Sequence, residues 1–320
     1  MDYKKFCISF LSLIIVFLVV VYPMAFYMQL GVPTERTRYL NEWWHKKESY
    51  ASSIETNKIL IASGSNTLFS VRAFIIEKQL NIPTINFGVH AGLGLKYILN
   101  RVIRSINDGD IVILPLEYEM YQGIENYGGE FGMYVSARDE EYFKEMPILE
   151  KIMFIYSTKP EDILYGLKER FRPSKQRIGN YDSKHLNEHG DMLNNRSEKR
   201  KSDNELLSVT KDKIFTDSLC PSIDFQDYVS EFLSFCRSKN VKVIVMYPAY
   251  CRKNENLIKS DLEKIRAIQS YWESHNVVVL NDLESNLYDV RYFYDGNYHM
   301  NNLGAEYRTK QIIKGLESIL

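Results

Sequence analysis

The feature that most constrains this fold is an alternation of short apolar runs with stripes of apolar residues at helical spacing. Runs of strand length occur at Ile59–Ala62, Pro83–Phe87 and Ile111–Leu116, and again at Val241–Tyr247 and Val277–Leu280. Runs that are apolar throughout are typical of strands buried on both faces. Since helices separate successive strands, we predict an α/β domain with five parallel strands, right-handed crossovers and helices on both faces.

Apolar residues three or four positions apart predict the helices between these strands. The first helix begins at Thr67, directly after the first strand, and its stripe is Leu68, Val71, Ile75 and Ile76. Further helices are predicted over Leu95–Ile106, Phe225–Cys236, Leu262–Trp272 and Ala305–Ser318.

A long insertion follows the third strand, over residues 118–217 of a domain that extends from 56 to 320. It contains a predicted helical region, Glu140–Phe171, and a polar stretch, Lys168–Lys213, with 12 Lys or Arg against 8 Asp or Glu. Such a stretch is typical of a solvated face or a mobile loop. The alternative is a lid or groove for an anionic glycan or a partner.

The N-terminus contains 23 residues without charge, Phe6–Met28. As a helix this segment is about 34 Å long, enough to cross a hydrocarbon core of about 30 Å. Tyr22, Phe26 and Tyr27 suit the aromatic belt at a membrane interface. Because no small-x-small cleavage site is present, we predict an uncleaved signal anchor over residues 1–30.

The segment after the anchor, residues 31–55, is polar and rich in tryptophan and arginine, and we predict a short helical stalk. Two lysines precede the uncharged segment of the anchor, and two arginines follow it closely. The basic residues are therefore nearly balanced, and they do not set the orientation of the anchor.

The composition is that of an ordinary globular protein. The net charge is −1, and no basic stripe with interleaved aromatic residues is present, so nucleic acid is not an expected partner. One cysteine lies in the anchor and three in the body, which allows one disulfide or none. His185 and His189, with Asp182 and Asp191, are residue types that bind metals, but their turn-like setting favours structural roles, and we predict no metal site.

A serine follows the first predicted strand in the turn Ser63-Gly64-Ser65-Asn66. A strand, a tight turn and a helix in this order present a hydroxyl at the carboxyl edge of the sheet, beside the first helical N–H groups. This is a suitable place for an acyl-transfer nucleophile, which would be Ser65. The alternative is an ordinary βα turn that needs only small residues.

The loop before the last helix contains Asp295 and His299. It follows the fifth predicted strand, and the carboxyl ends of parallel strands open on one edge, so this loop can meet Ser65. A hydroxyl, an imidazole that takes its proton and a carboxylate that orients the imidazole form a catalytic triad. On its own, His299 is equally compatible with a histidine at a helix start.

Three short blocks make the chain resemble the SGNH (GDSL-type) hydrolase superfamily. Ser63-Gly64-Ser65-Asn66 resembles the Gly-Asp-Ser-x block, Asn86-Phe87-Gly88 the second block, and Asp295-Gly-Asn-Tyr-His299 the final Asp-x-x-His block. The resemblance is greatest to the membrane-anchored branch, with its DltD-like and AlgJ-like proteins, that assists O-acylation of cell-surface polysaccharides. It extends over about Ile59–Leu320, and the insertion carries none of the family's chemistry.

The resemblance implies a three-layer flavodoxin-like domain outside the cytoplasm that acts as an esterase or O-acetyltransferase-type enzyme of the cell envelope. Ser65 is then the nucleophile, His299 the general base and Asp295 its orienting carboxylate, while the N–H groups of Ser65 and Gly88 form the oxyanion hole. No metal or cofactor is implied. The expected partners are a glycan substrate and a membrane-bound O-acyltransferase that supplies the acyl group.

Two departures from the family pattern keep a second hypothesis open, that of a catalytically degenerate accessory or glycan-binding subunit. The third family block contains an asparagine that completes the oxyanion hole, whereas the third strand here ends Leu114–Glu119 without one. Tyr118 is the candidate substitute. In addition, Asp295 precedes His299 by four residues instead of three.

Overall fold

The structure, a computed structural model, describes residues 3–123, 127–176, 179, 181–210, 214–216, 219–252 and 259–320. The chain folds into two compact units. The first comprises Met1–Asn41 and Asn126–Gly179, and the second comprises Glu42–Glu125 and Asn180–Leu320. All the predicted site residues belong to the second unit.

The elements follow one another along the chain in this order. The α-helices are α1 (Tyr3–Val16), α2 (Tyr22–Gln29), α3 (Arg38–Ser52), α4 (Ser65–Ser70), α5 (Ala73–Leu80), α6 (Leu95–Ile103), α7 (Gly129–Arg138), α8 (Glu140–Glu145), α9 (Ile148–Ser157), α10 (Pro160–Phe171), α11 (Asp203–Val209), α12 (Ile223–Ser238), α13 (Lys259–Ser274) and α14 (Asn302–Leu316). The strands are β1 (Ile59–Ile61), β2 (Thr84–Asn86), β3 (Ile111–Leu114), β4 (Lys242–Met246), β5 (Tyr250–Cys251), β6 (Val278–Leu280) and β7 (Leu287–Tyr288).

The second unit is built on a sheet of five parallel strands in the order β2-β1-β3-β4-β6. Leu60 of β1 is paired with Ile85 on one side and with Val112 on the other. β4 continues the sheet from β3, with Ile244 opposite Ile113. The predicted α/β fold with a five-stranded parallel sheet is confirmed, and the insertion lies between β3 and β4.

Both faces of this sheet are buried. Successive side chains of a strand point to opposite faces, so the two faces are described by different residues. On one face, Ile61 and Ile113 pack with Ile76 of α5 and Ile312 of α14. Val112, which points to the other face, is also fully buried. Burial of an apolar side chain of this size stabilises the fold by roughly 1.5–3 kcal/mol. The sheet therefore forms the core of the second unit, and the candidate site residues lie in the segments that follow its strands.

The prediction of one helix beginning at Thr67 is wrong, because the chain forms α4 and then, after a break, α5. A residue of the insertion stabilises the break. The carboxylate of Asp191 accepts hydrogen bonds from the N–H groups of Ala73 (2.8 Å) and Phe74 (3.2 Å) and so caps the start of α5. The nucleophile candidate therefore lies on a separate short helix.

A second, two-stranded parallel sheet of β5 and β7 was not predicted, since strands of two residues leave no periodic signal. Cys251 of β5 and Tyr288 of β7 pack in a small core with Phe293 and Met300. These last two residues flank the Asp295–His299 loop, so the small sheet supports that loop.

The predicted stalk, residues 31–55, contains α3, and the part of α3 from Glu42 onward belongs to the second unit. Trp43, Trp44 and Lys47 are at most 2% exposed. The Lys47 ammonium group donates to the carbonyl oxygens of Asn86 and Gly190 (2.5 and 2.9 Å), and burial lowers the pKa of Lys47 to about 7. The second half of α3 is therefore an integral part of the body.

The four cysteines, Cys7, Cys220, Cys236 and Cys251, are all free thiols. Of the two alternatives that the sequence allowed, the one without a disulfide is present. Burial raises the pKa of the Cys251 thiol to about 11, so this thiol is protonated at neutral pH.

The first unit contains a long N-terminal helix. α1, a π-helical turn (Phe17–Val21) and α2 form a helix, Tyr3–Gln29, that is long and apolar enough to span a membrane. Phe26 does not belong to an exposed aromatic belt, because it is fully buried against Phe143 of α8 and Phe154 of α9. The predicted helical region Glu140–Phe171 is confirmed as α8, α9 and α10.

Candidate active site

Ser65, the candidate nucleophile, is the first residue of α4 at the carboxyl edge of the sheet. β1 ends at Ile61, and Gly64 takes the N-cap position with an extended backbone (φ −76°, ψ −153°). The hydroxyl oxygen of Ser65 lies 2.8 Å from Nε2 of His299. The fold thus brings together two side chains that are 234 positions apart in the chain.

His299 and Asp295 form the second link of this chain of hydrogen bonds. Nδ1 of His299 lies 2.6 Å from Oδ1 of Asp295. A carboxylate only accepts, so Nδ1 carries the proton and Nε2 is left to accept from the Ser65 hydroxyl. Burial opposes ionisation of Asp295, but hydrogen bonds from His299 and Tyr181 outweigh it and hold the pKa of Asp295 below its usual value.

A tight loop explains how a carboxylate four residues before the histidine can reach it. Phe293 and Met300 form an antiparallel bridge, and the N–H of Tyr294 donates to the carbonyl of His299 (2.7 Å). Asp295 and His299 therefore stand on facing arms of a loop and not on successive turns of a helix. This geometry accommodates the departure from the family spacing.

Two aromatic side chains that the sequence analysis missed hold the imidazole and the carboxylate. Phe69 of α4 stacks on the ring of His299, with centroids 4.4 Å apart and planes 17° apart. The hydroxyl of Tyr181 donates to Oδ2 of Asp295 (2.9 Å). Tyr181 lies in the polar stretch that we expected to be solvated. The one sequence feature that could have indicated its role is that no other Phe, Trp or Tyr occurs between Phe171 and Phe215.

Glu117, just after β3, lies where the family pattern has its third block. Its Oε1 accepts from the N–H of Asn66 (2.7 Å), and its Oε2 accepts from the N–H of Gly64 (3.1 Å) and the hydroxyl of Ser63 (3.2 Å). The residue is 3% exposed, and burial, partly offset by these hydrogen bonds, raises the pKa of Glu117 to about 7. The Glu117 carboxyl group thus accepts hydrogen bonds from the residues on both sides of Ser65, at the position where the resemblance leads us to expect an asparagine that donates.

Asn66 connects the nucleophile helix to the C-terminal loops. Its Nδ2 donates to the carbonyl oxygens of Ala249 (2.9 Å) and Tyr298 (3.1 Å), and its Oδ1 accepts from the guanidinium of Arg308 (3.0 Å). Arg308 is fully buried in α14 and also donates to the carbonyl of Tyr247 (2.8 Å). These bonds hold α4 against the loop after β4 and the loop that contains His299.

Gly88 and Tyr118, the predicted oxyanion donor and the candidate substitute donor, have surroundings that do not show this role. The N–H of Gly88 donates to Oδ1 of Asn86 (2.9 Å). A Cβ atom at Gly88 would lie 2.2 Å from the backbone nitrogen of Leu68, so glycine permits the close approach of α4 at this point. Tyr118 is not among the described residues that line the cavity beside Ser65. The oxyanion roles of Ser65, Gly88 and Tyr118 stay predictions.

A cavity of about 550 Å³ opens beside Ser65. Its wall includes three glycines, Gly92, Gly94 and Gly123, and two carboxyl side chains, Glu117 and Glu119. None of the described residues that line it is a Lys, Arg or His. This volume is within the usual range for small-molecule sites.

Three of the four candidate metal ligands, Asp182, His189 and Asp191, have structural partners. Nε2 of His189 lies 3.3 Å from Glu77, and Asp182 accepts from the N–H of Lys184 (3.1 Å). Asp191 caps α5. Over the described part of the chain, no group of three or more His, Cys, Asp or Glu side chains is placed to hold a metal ion.

Comparison with known proteins assigns no family to the chain. No protein-family model matches it, and neither a curated protein nor a solved structure is significantly similar to it. A functional proposal therefore rests on the geometry of the site and on the sequence resemblance.

Proposed function

We propose that this protein is a membrane-anchored serine O-acyltransferase or esterase of the SGNH type that acts on a cell-surface polysaccharide. The observation that carries the proposal is the hydrogen-bonded chain from Ser65 through His299 to Asp295, beside a cavity of about 550 Å³. A nucleophile, a base and an orienting group within hydrogen-bond reach of one another are the geometric signature of nucleophilic catalysis.

In the first step, the hydroxyl oxygen of Ser65 attacks the acyl carbonyl of a donor ester. Nε2 of His299 takes the hydroxyl proton as the new bond forms, and the charge of Asp295 stabilises the imidazolium. The bond to the leaving alcohol then breaks, and the imidazolium gives its proton to the leaving oxygen. The products are an acyl ester of Ser65 and a free alcohol.

In the second step, another hydroxyl group attacks the acyl ester. His299 takes the proton of the attacking group and returns it to the oxygen of Ser65 as the ester bond breaks. If the attacking group is a glycan hydroxyl, the reaction is acyl transfer, and if it is water, the reaction is hydrolysis. Neither step requires a metal or a cofactor.

The oxyanion of both steps needs N–H donors, and we assign the backbone amides of Ser65 and Gly88 to this role from the resemblance. The amide of Gly88 bonds to Asn86, so its participation requires an exchange of partners when substrate binds. Loss of one oxyanion donor lowers the rate by about 10²–10³, which makes this exchange important for the rate.

The five-stranded parallel sheet supports a three-layer flavodoxin-like domain of the SGNH type, and the apolar helix Tyr3–Gln29 supports a single-pass location in the cell membrane. We place the catalytic unit outside the cytoplasm, where a membrane-bound O-acyltransferase would supply the acyl group. A reporter enzyme fused after Leu320 should be active only when it is exported. Activity in the cytoplasm would contradict this orientation.

A second candidate function is that of a degenerate accessory or glycan-binding subunit in a polysaccharide modification complex. The specific observation in its favour is that Glu117, an acceptor, replaces the family's asparagine donor. Together with the bonded amide of Gly88, this leaves fewer donors available for an oxyanion.

Labelling with a fluorophosphonate probe separates the two functions. The wild-type chain should become labelled, because an activated serine attacks phosphorus as it attacks a carbonyl, and Ser65→Ala should not. Ser238→Ala, at the exposed end of α12, is the matched control and should be labelled like the wild type. Absence of labelling in a folded wild-type sample would exclude the enzymatic function and favour the accessory role.

A further inference from the structure

We propose that α9 forms a second membrane contact, in which its exposed apolar face lies at the boundary between the lipid headgroups and acyl chains. The proposal rests on the membrane anchoring that is part of the proposed function. The helix α9 belongs to the insertion, to which the sequence resemblance gives no role, and the molecule that we expect to contact its apolar face is a lipid bilayer.

One side of α9 is unusually apolar for an exposed surface. We call this side the α9 face, and it consists of five residues that are 45–71% exposed: Ile148, Leu149, Ile152, Met153 and Tyr156. Phe154 and Ile155, on the other side of the helix, are buried. A contiguous exposed apolar surface of this kind marks a site of interaction with a protein or a membrane.

The α9 face is continuous with the N-terminal helix, since both belong to the first unit. The hydroxyl of Tyr156 donates to the carbonyl of Leu18 (2.8 Å), and its ring stacks on Tyr22 with centroids 5.8 Å apart. Phe154 packs edge-on against Phe26 of α2. A bilayer that surrounds the N-terminal helix therefore reaches the α9 face directly, which favours lipid over a soluble protein as its occupant.

The length of the helix places α9 at the membrane boundary. The residues Tyr3–Val21 are all exposed, and their uncharged part begins at Phe6, after two lysines. A hydrocarbon core of about 30 Å that begins at Phe6 takes about 20 helical residues and so ends near Ala25. Leu18, which Tyr156 contacts, lies about 10 Å before this end. That depth matches the roughly 5–10 Å at which interfacial helices insert, and tyrosine is enriched at this level.

A site-specific fluorescent label in the full-length chain tests the proposal. In a Cys7→Ser background, whose remaining cysteines are buried, a nitrobenzoxadiazole label is attached at Met153→Cys. Two controls are matched in exposure (54%, 55% and 59% for Met153, Leu303 and Ile15): Leu303→Cys on α14 and Ile15→Cys in the N-terminal helix. Each protein is reconstituted into phosphatidylcholine vesicles with and without spin-labelled lipid.

Labels at Met153 and Ile15 should emit at shorter wavelength and be quenched by the spin-labelled lipid, whereas the label at Leu303 should not. Quenching at Ile15 but not at Met153 would overturn the α9 contact and leave the anchor intact. Quenching at neither position would overturn both. If the label at Met153 is shielded from iodide in native membranes but is not quenched by lipid in vesicles, a protein covers this face and the lipid proposal is wrong.

Discussion

The carboxyl group of Glu117 is buried, and its titration should make the free energy of unfolding of the second unit depend on pH. Burial raises the pKa of Glu117 from 4.5 to about 7. A carboxyl group whose pKa is raised by folding favours the folded state while it is protonated. The stabilisation is fully present below the unfolded-state value of 4.5 and is lost as the pH rises through about 7.

The magnitude follows from the distance between the two pKa values. Each pH unit between them corresponds to about 1.4 kcal/mol, so a pKa raised from 4.5 to about 7 corresponds to about 3 kcal/mol. Glu117→Gln removes the titration and keeps the size of the side chain. We therefore expect the free energy of unfolding of the wild type, relative to that of Glu117→Gln, to fall by about 3 kcal/mol between pH 4 and pH 8.

The two proteins also differ by an offset that does not depend on pH. The amide nitrogen of a glutamine would face the N–H of Gly64 or of Asn66, which now donate to the carboxyl oxygens. A buried donor left without an acceptor costs about 1–3 kcal/mol. The pH dependence of the difference, and not its absolute value, is thus the quantity that tests the titration.

Urea unfolding of the detergent-solubilised chain, followed by tryptophan fluorescence, measures this difference. Trp43, Trp44 and Trp272 are all buried and all belong to the second unit, so the signal reports the unfolding of that unit. Glu231→Gln, at an exposed position of α12, controls for the loss of one charge. A difference between wild type and Glu117→Gln that stays constant from pH 4 to pH 8 would refute the reasoning.

Three further predictions concern the site and its supports. Asp295→Asn should lower kcat for an activated ester by about 10⁴, since the imidazole loses its orienting charge, and steady-state kinetics would show a smaller effect if Asp295 were incidental. Tyr181→Phe should lower kcat about tenfold, the value of one hydrogen bond to a carboxylate, and should raise the pKa of Asp295, because this hydrogen bond helps to hold that pKa down; an unchanged titration of Asp295 by NMR would argue against this positioning role. Gly88→Ala should lower Tm by roughly 2–12 °C in a thermal melt, from about 1–3 kcal/mol of overpacking against the backbone of Leu68, and an unchanged Tm would show that α4 can shift.

The sheet could be predicted because its strands depend on local composition. Ile59–Ala62 and Ile111–Leu116 are apolar on every residue or nearly so, and such runs are stable only where both faces are covered. The meeting of Ser65 with the Asp295–His299 loop could be anticipated for a similar reason, since parallel strands place their following loops on one edge.

The parts that could not be predicted depend on contacts between residues far apart in the chain. The break between α4 and α5 is stabilised by Asp191, which is 118 positions from Ala73. Tyr181 reaches Asp295 across 114 positions, from a stretch whose composition indicates only solvation. The missing asparagine in Leu114–Glu119 was visible as a departure from a family pattern, but the role of Glu117 as an acceptor for the N–H groups of Gly64 and Asn66 becomes evident only from the fold.

The separation of Ser65 from His299 has a consequence for the time course of synthesis. The two residues are 234 positions apart, and a ribosome that adds about 5–20 residues per second needs roughly 10–50 s to pass from one to the other. During this interval the serine has neither its base nor the arginine of α14 that holds its helix. If Ser65 is the nucleophile that we propose, His299 cannot activate it until the final part of the sequence has emerged, and no acyl ester is expected on a partly made protein.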